Sequence, residues 1–474
     1  MDIAADTPTN ELAPTLESLR RAWLRKRPDF AQRRDDLKRL RAAFHGRLEE
    51  MARAVSDDFG HRSSHETLLA DGMTVLVEID HMLANLRSWM RPRRRGVGWR
   101  LWPASARVHH VPVGVVGVIS PWNYPVNLAL VPLATAIAAG NHVYLKPSEH
   151  TPRTSRFLRE LLSEVFPADR VAVALGGPEV ASAFSALPFD HLFFTGSTPV
   201  GRKVMAAAAP NLTPVTLELG GKSPAIVGED ASMDVVAARI ATGKLLNAGQ
   251  TCIAPDYVLV PHARRDAFVQ ALRREVQSRY TDIQATPDYT RIVNQGQYER
   301  LRGYLDDAVA RGYEVVPLLP LGDAAQAQDD RLLPPTLVIE PGDDALVMQE
   351  EIFGPILPVK TYRSFDEAID YINAHDRPLA LYHFGHDRAR VDQLLERTVS
   401  GGVCINDTLL HYACSNLPFG GIGASGMGQY HGYEGFLTFT KAMPVLRQVR
   451  WTVTDRLRPP YTGLPARIIQ FLLR

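Results

Sequence analysis

The sequence of 474 residues has little of several features that define particular protein classes. Its three cysteines are too few, and odd in number, for a disulfide framework, and they favour a reducing compartment. Lys plus Arg (53) balances Asp plus Glu (52), so no global field draws the chain to nucleic acid or to an anionic membrane. No apolar run reaches the roughly 20 residues that span a bilayer, and the N-terminus lacks the apolar core of a secretory signal. These absences predict a cytoplasmic globular protein without stable membrane insertion, and its size favours an enzyme.

The first ninety residues read as helices, because apolar residues recur there at three- and four-residue spacing between charges. The predicted helices cover residues 12–27, 29–55 and 67–90. The basic run at 91–95 could contact nucleic acid, but one short run in a neutral chain is more typical of a solvated connector. The apolar segment 468–473 is too short to cross a membrane, so we expect it to dock on a partner subunit, with a membrane surface left open.

From residue 111 onward, short apolar runs ending in Gly, Pro, Asn or Ser alternate with amphipathic helices. This alternation predicts a doubly wound parallel sheet, which binds ligands at the carboxyl ends of its strands. Helix 154–166 begins with Thr154 as its cap, and residues 317–335 read as an irregular surface segment. A second alternating unit begins after Gly220-Gly221. The predicted strands are 113–120, 142–146, 191–195, 225–227 and 356–362, and the other helices are 200–209, 264–280, 295–311 and 365–375.

Two residues are candidates for covalent chemistry. Cys252 lies in NAGQTCIAP (247–255), among small and polar residues that suit a nucleophile, although a small buried thiol is the commoner case. Glu218 lies in TLELGGKSP (216–224), at an apolar strand end followed by two glycines. A carboxylate there is either a satisfied structural group or a general base whose pKa is raised by burial.

The segment HLFFTGSTPVG (191–201) joins a buried strand to a helix through a turn flanked by Gly196 and Gly201. Such a turn suits a dinucleotide phosphate at a helix N-terminus. It is not the GxGxxG fingerprint, and a tight strand-to-helix turn without a ligand needs similar residues. Taken alone, this segment leaves both interpretations open.

Together, seven segments in order resemble the NAD(P)-dependent aldehyde dehydrogenase superfamily over about residues 111–440. They are PWNYP (121–125), KPSEHTP (146–152), FTGSTPVG (194–201), LELGGKSP (217–224), GQTC (249–252), EEIFGP (350–355) and LPFGGIGASGMG (417–428). Within the superfamily the chain is similar to the shorter class-3 branch. The segments GGVCINDTLLH (401–411) and RPPY (458–461) are most similar to the bacterial coniferyl-aldehyde dehydrogenase group.

The resemblance implies an α/β aldehyde dehydrogenase-like fold in three parts. A Rossmann-type parallel sheet in a discontinuous NAD(P)-binding domain is expected from residues 1–90 and 111–219. Residues 220–417 then form an α/β catalytic domain that carries the cysteine. Residues 91–110 and 430–455 form a small bridging element for oligomerisation, followed by a tail at 456–474. The same resemblance implies a homodimer.

The resemblance also implies the catalytic roles. Cys252 attacks the aldehyde carbon to give a thiohemiacetal, and the side-chain amide of Asn123 with the backbone N–H of Cys252 stabilises the oxyanion. Oxidation leaves a thioester, which a water activated by Glu218 hydrolyses to the carboxylic acid.

The predicted cofactor is NAD, and the resemblance supplies its contacts. Glu149 contacts the adenosine ribose and favours NAD by repelling a 2′-phosphate, although members with the same residue can accept NADP. Glu351, the acid immediately before Ile352-Phe353, holds the nicotinamide ribose, and Phe353 flanks the nicotinamide. The full predicted cofactor-binding set is Lys146, Glu149, Gly196, Ser197, Gly201, Glu351, Phe353 and Trp122.

The predicted substrate is coniferyl aldehyde, oxidised to ferulate, or a similar aromatic or hydrophobic aldehyde. Medium- or long-chain aliphatic aldehydes are the first alternative. A coenzyme A-acylating dehydrogenase and a catalytically silent relative are weaker alternatives, because the base Glu218 and the nucleophile Cys252 are both present. No metal site is predicted. His109, His110 and His411 are interpreted as solvated or core histidines, Cys404 and Cys414 as small core residues, and Lys222 as structural rather than catalytic.

Overall fold

A computed structural model describes residues 6–322, 324–450, 452, 455 and 457–473. The strands are β1 Arg93–Arg95, β2 Ser105–Pro112, β3 Val115–Ile119, β4 His142–Lys146, β5 Val171–Val173, β6 His191–Thr195, β7 Val215–Glu218, β8 Pro224–Val227, β9 Tyr257–Pro261, β10 Glu314–Pro317, β11 Thr336–Ile339, β12 Ile356–Tyr362, β13 Ala380–Phe384, β14 Gly402–Ile405, β15 Gly426–Met427 and β16 Thr440–Arg447.

The helices surround these strands. They are α1 Thr9–Arg25, α2 Phe30–Gly46, α3 Leu48–Phe59, α4 Ser64–Thr67, α5 Thr74–Trp89, α6 Asn127–Ala139, α7 Pro152–Val165, α8 Pro178–Ser185, α9 Thr198–Ala208, α10 Met233–Leu245, α11 Arg265–Arg279, α12 Gln295–Ala310, α13 Ala324–Asp329, α14 Leu346–Gln349, α15 Phe365–Asn373, α16 Arg388–Arg397, α17 Leu410–Ala413, α18 Gly432–Thr438 and α19 Leu464–Leu472. None of the helices in the described ranges is both long and apolar enough to cross a membrane.

Two of the sheets are mainly parallel, and, apart from β15, each is built from the strands of one of the two alternating units of the sequence. The first has the strand order β15-β7-β6-β3-β4-β5 and the second the order β10-β11-β12-β9-β8-β13-β14. In each, one edge strand runs antiparallel, β15 in the first and β10 in the second. The central strands β3, β4 and β6 are buried along their whole length, as expected for parallel strands with helices on both faces. The predicted doubly wound α/β fold is therefore confirmed.

The third sheet, in the order β1-β2-β16, is antiparallel and largely exposed. The basic run 91–95 contributes β1 to it, so it is an edge strand where the sequence predicted a connector. Its arginines are exposed, and Arg93 stacks over the Tyr433 ring at 4.2 Å. The predicted domain boundaries stay a prediction.

Helix α6 is the structural centre of the first unit, because it is buried along its whole length. A helix that is apolar all round must be covered on every side. Helices α2 and α5 pack against it, while α3 packs on α7 and α1 packs on α8. The N-terminal helices thus form a layer over the first parallel sheet.

The prediction of a single helix over 29–55 is wrong. Helix α2 ends at Gly46 and α3 begins at Leu48, with Arg47 in a non-helical conformation between them. Glycine at position 46 destabilises a continuous helix, because it is a poor interior helix residue. The Arg47 guanidinium donates a hydrogen bond to Glu50 at 2.7 Å and lies 3.5 Å from Glu160 of α7. The predicted helix 67–90 also differs, because residues Leu68–Met73 form a π-helical turn before α5.

Thr154 does not cap α7, contrary to the prediction. The helix begins at Pro152, and Thr154 lies inside its first turn. The acceptor for this turn is Asp58 of α3, which receives the backbone N–H groups of Arg153 at 3.0 Å and Thr154 at 2.8 Å. A tertiary contact therefore replaces the local cap.

Residues 317–335 are not an irregular surface segment as predicted. They contain α13, and apolar side chains of the segment enter the core. The buried residues are Leu318, Leu319, Ala327, Leu332 and Leu333.

The predicted core position of Cys414 is also wrong, because Cys414 is exposed, whereas Cys404 is half-buried.

Candidate active site

Cys252 follows a backbone turn of unusual conformation. After α10, Asn247, Ala248 and Gly249 all have left-handed φ angles, of 55°, 52° and 75°. A β-carbon at Gly249 would collide with the Gly354 carbonyl oxygen, so only glycine fits there. Such strained backbone persists only where the surroundings fix it, and it is concentrated at functional sites.

The side chain of Gln250 fixes this turn to a neighbouring loop. Its amide nitrogen donates to the carbonyl oxygens of Asn247 and Arg291, each at 3.0 Å, and its carbonyl oxygen accepts from the Val293 N–H at 3.0 Å. Gln250 is fully buried, so these bonds are shielded from water. They hold the backbone two residues before Cys252 in one position.

Asn123 lies beside this turn, in the loop after β3. Its side-chain amide nitrogen donates to the Gln250 carbonyl oxygen at 3.1 Å, and the residue is 3% exposed. An asparagine amide has two N–H donors, so one remains for a ligand next to Cys252. This placement suits a donor to a developing oxyanion.

Glu218 ends strand β7 and is 2% exposed. Neither carboxyl oxygen has a hydrogen-bond partner in the described part of the chain, and burial raises the pKa of Glu218 well above its usual value. Its backbone is held by the neighbouring strands, because Glu218 pairs with Gly426 of β15 and with Thr195 of β6. A buried carboxyl without a partner is costly to keep, which favours a functional role as a proton acceptor.

The cysteine and two carboxyl groups interact electrostatically. Burial, followed by the charges of Glu351 and Glu218, raises the pKa of Cys252 to about 12. A raised pKa disfavours the thiolate, so nucleophilic attack by Cys252 calls for a nearby group that takes the thiol proton.

Glu351 lies against the backbone at Gly220. A β-carbon on Gly220 would overlap the Glu351 carboxylate, and the Gly221 N–H donates to that carboxylate. One carboxyl oxygen of Glu351 is buried without a hydrogen-bond partner, and burial together with the charge of Asp256 raises its pKa to about 8. An unpaired buried oxygen of this kind suits a ligand hydroxyl. The neighbouring Glu350 is exposed, and its carbonyl oxygen accepts from Lys222.

Phe353 and Trp122, both half-buried, meet edge to face with ring centroids 5.3 Å apart. Phe353 has a left-handed φ of 50°, and Arg300 holds the preceding carbonyl of Ile352 at 2.9 Å. The structure therefore brings Trp122, predicted to bind the cofactor, against Phe353, predicted to flank the nicotinamide.

Lys146 and Glu149 form an ion pair of 2.7 Å at the carboxyl end of β4. Burial acts to raise the pKa of Glu149, but the hydrogen bond and charge of Lys146 outweigh it, and the pKa lies below its usual value. Gly196 and Ser197 connect β6 to α9, with Gly201 buried in the first turns of that helix. The N–H groups at such a helix start are free to bind an anion. These features fit the parts of a dinucleotide. The Lys146–Glu149 ion pair suits a ribose, the N-terminus of α9 suits a pyrophosphate, and the unpaired oxygen of Glu351 suits a second ribose.

Comparison with known proteins identifies the family. The profile of the aldehyde dehydrogenase family matches residues 18–445. A probable coniferyl aldehyde dehydrogenase of Pseudomonas aeruginosa is 52% identical over 95% of this chain and 94% of its own length. The chain belongs to the aldehyde dehydrogenase family. The dehydrogenase is thus an NAD(P)-dependent enzyme that oxidises aldehydes, as the sequence predicted.

Solved structures agree with this assignment. The substrate-bound state of Staphylococcus aureus AldH has a TM-score of 0.92 and 38% identity, covering 97% of this chain and 99% of that one. An aldehyde dehydrogenase of Mycobacterium tuberculosis complexed with NAD+ has a TM-score of 0.84 and 27% identity, covering 95% and 92% of the two chains. The predicted aldehyde dehydrogenase-like fold is confirmed.

Next to the Cys252 site of the dehydrogenase lies a cluster of rings that sequence reasoning missed; we call it the aromatic cluster. His431 is its centre, with ring centroids 4.4 Å from Tyr430, 4.6 Å from Tyr412 and 5.7 Å from Phe419. Burial raises the pKa values of Tyr412 and Tyr430, and the charge of Cys252 adds a smaller contribution to each. The geometric link to the cysteine is Tyr382, whose hydroxyl donates to the carbonyl oxygen of Ile253, the residue after Cys252, and whose ring centroid lies 5.9 Å from that of His411.

Several polar atoms in this cluster have no hydrogen-bond partner in the described residues. They include both ring nitrogens of His411 and of His431, and the amide oxygen of Asn127. The Asn127 amide nitrogen donates to the Tyr412 hydroxyl at 2.9 Å. His431, Tyr430 and Phe419 are buried, whereas His411 and Tyr412 are half-buried, so only the last two rings are open to contact with a ligand. No group of three or more His, Cys, Asp or Glu side chains in the described ranges is arranged to hold a metal.

Proposed function

We propose that this dehydrogenase oxidises coniferyl aldehyde, or a closely similar aromatic aldehyde, to its carboxylic acid through a thioester on Cys252. The observation that carries the chemistry is the convergence of three groups. The Asn123 amide donates to the Gln250 carbonyl oxygen two residues before Cys252, and the charge of the unpartnered Glu218 carboxyl acts on the Cys252 thiol, which supports a shared site for the three groups.

The first half-reaction forms a carbon–sulfur bond. The Cys252 sulfur adds to the aldehyde carbon as its thiol proton passes to a base, and the carbonyl oxygen becomes an oxyanion. The Asn123 amide and the Cys252 backbone N–H donate to that oxyanion. NAD, when bound, supplies the acceptor for the hydride that leaves the substrate carbon, and the product on the enzyme is a thioester.

The second half-reaction hydrolyses this thioester. Glu218 accepts a proton from a water molecule, whose oxygen adds to the acyl carbon, and the carbon–sulfur bond then breaks to release the acid. The raised pKa of Glu218 suits this task, because a stronger base removes the proton from water more readily. This step distinguishes hydrolysis from transfer of the acyl group to coenzyme A.

The predicted cofactor residues support NAD as the preferred form. Lys146 and Glu149 would hold the adenosine ribose, with Gly196, Ser197 and Gly201 near the pyrophosphate. The Glu149 carboxylate, which its ion pair with Lys146 keeps ionised, would repel a 2′-phosphate. Glu351, with Phe353 and Trp122 beside it, would hold the nicotinamide end.

The aromatic cluster supports an aromatic substrate. The rings of its half-buried members, His411 and Tyr412, can pack against a phenyl ring. The name of the Pseudomonas aeruginosa relative, probable coniferyl aldehyde dehydrogenase, points to the same substrate class. A long aliphatic aldehyde would lack this packing of ring against ring.

A panel of aldehydes tests the substrate proposal. We expect kcat/KM for coniferaldehyde to exceed that for hexanal and for a long-chain aldehyde by up to about 10-fold, since packing between aromatic rings contributes about 0.5 to 1.5 kcal/mol. NADH formation is followed with and without coenzyme A, and with NADP in place of NAD. Preference for aliphatic aldehydes would keep the mechanism and overturn the substrate class, and dependence on coenzyme A would overturn hydrolysis.

We further propose that the enzyme is a homodimer and works in a reducing compartment such as the cytoplasm. Strand β16 is an edge strand, and Met443, Val445 and Leu446 on it are exposed. An exposed apolar edge strand favours pairing with another chain. Light scattering in solution is expected to give twice the subunit mass, and a monomer mass would contradict the dimer.

A further inference from the structure

A buried ion pair lies behind the active site, outside every residue assigned a catalytic or cofactor role above. Arg62, between α3 and α4, and Asp71, in the π-helical turn, are both fully buried, and their charged groups are 3.2 Å apart. The Arg62 guanidinium also lies over the rings of Tyr124 and Phe59, at 4.9 and 5.3 Å. Burying such a pair costs desolvation energy, so its retention calls for an explanation beyond stability.

The contacts of Arg62 lead directly to the oxyanion donor. Its guanidinium donates to the backbone carbonyl oxygen of Asn123 at 3.1 Å. The side-chain amide of Asn247 donates to the same oxygen at 2.9 Å. The backbone of Asn123 is therefore held from two sides, by the N-terminal helical layer and by the left-handed turn before Cys252.

Asp71 holds the chain immediately after Asn123. One of its carboxyl oxygens accepts the backbone N–H groups of Val126 at 3.1 Å and Asn127 at 2.9 Å. These are donors at the start of α6 that have no partner within the helix. Together, Arg62 and Asp71 fix both ends of the short loop that presents the Asn123 amide.

Glu66 connects the same helical segment to the turn before the nucleophile. Its carboxylate accepts the Asn247 backbone N–H at 3.1 Å and the Thr290 hydroxyl at 2.8 Å. The segment 62–71 therefore contacts the backbone of the oxyanion donor and the backbone of the turn before Cys252.

We infer that Arg62 is a positioning residue of the reaction: with Asp71, it sets where the Asn123 amide lies relative to the Cys252 sulfur. The inference rests on the proposed role of Asn123. Oxyanion stabilisation depends steeply on donor position, and displacement by about 1 Å can cost about 100-fold in rate. A loosened Asn123 loop is therefore expected to slow carbon–sulfur bond formation without changing NAD affinity.

The test is a double-mutant cycle between Arg62 and Asn123. Arg62→Met is expected to lower kcat/KM for the aldehyde by about 10- to 100-fold, with the NAD dissociation constant within about twofold of wild type. In the Asn123→Ala background the same substitution should cost less than about threefold, because the group that it positions is already absent. Arg62→Lys keeps a charge opposite Asp71 and should recover part of the rate.

Arg33 provides the matched control. It is also a buried arginine, 5% exposed, and it donates to the carbonyl oxygens of Pro28 and Ala138, away from Cys252. Arg33→Met is expected to lower the melting temperature without a selective loss of kcat/KM, and any loss should persist unchanged in the Asn123→Ala background. If Arg62→Met fails to fold, the cycle is run with Arg62→Lys.

The outcomes separate this inference from the proposed function. If Asn123→Ala leaves kcat/KM unchanged, the proposed role of Asn123 is wrong. If Asn123→Ala lowers kcat/KM but the losses multiply in the double variant, Arg62 acts on stability or elsewhere, and the positioning inference is overturned.

Discussion

Cys252→Ala is expected to abolish aldehyde oxidation while NAD binding survives. The substitution removes the sulfur that forms the covalent intermediate, and loss of a nucleophile from a catalytic set costs on the order of 10⁴- to 10⁶-fold in kcat. The residues proposed to bind NAD, Glu351, Lys146 and Glu149, are unchanged, so the NAD dissociation constant, measured by fluorescence or calorimetry, should stay near that of wild type.

The other two cysteines provide the control for this experiment. Cys404 is half-buried and Cys414 is exposed, and neither is disulfide-bonded. Cys404→Ala and Cys414→Ala should keep turnover within a few-fold of wild type, since the proposed chemistry uses neither thiol. Substantial turnover by Cys252→Ala would overthrow the assignment of the nucleophile.

Glu218→Gln is expected to allow formation of the acyl-enzyme but to slow its release by about 10²- to 10⁴-fold, the usual contribution of a general base. Rapid-mixing kinetics should show a burst of NADH followed by a slow steady state. Hydroxylamine, a strong nucleophile that needs less help from a base, should accelerate that steady state. Glu350→Gln is the matched control, because Glu350 is adjacent to the site in sequence but exposed.

The pH dependence of the wild type gives a second measure of Glu218. Burial raises the pKa of Glu218, and water activation needs the ionised carboxylate. The hydrolysis rate should therefore rise with pH through a pKa above that of an ordinary glutamate, and Glu218→Gln should lose this rise. A deacylation rate unchanged by Glu218→Gln would show that another group is the base.

The sequence predicted the central strands well because buried parallel strands are continuous apolar runs bounded by turn residues. Strands 142–146, 191–195 and 356–362 have the predicted bounds. The errors occur where a tertiary contact decides the local structure. Asp58 replaces the predicted cap Thr154, and Arg47 interrupts a helix whose apolar spacing continues across it.

The active site likewise contains residues that the sequence predicted and residues that it did not. The motifs in the sequence pointed to Cys252, Glu218 and Asn123, whose catalytic roles stay a prediction. Arg62, Glu66 and Asp71 carried no such signal, because they are ordinary polar residues in a helical region. Only the fold brings Arg62 to Asn123, 61 positions along the chain, and Glu66 to Asn247, 181 positions along.

The most direct test of the thioester mechanism is the intact mass of Glu218→Gln after one turnover with coniferaldehyde and NAD. The mechanism predicts a subunit that carries one feruloyl group, located on the peptide containing Cys252 and lost on treatment with hydroxylamine. An unmodified subunit despite NADH formation, or an acyl group on Cys404 or Cys414, would contradict the mechanism.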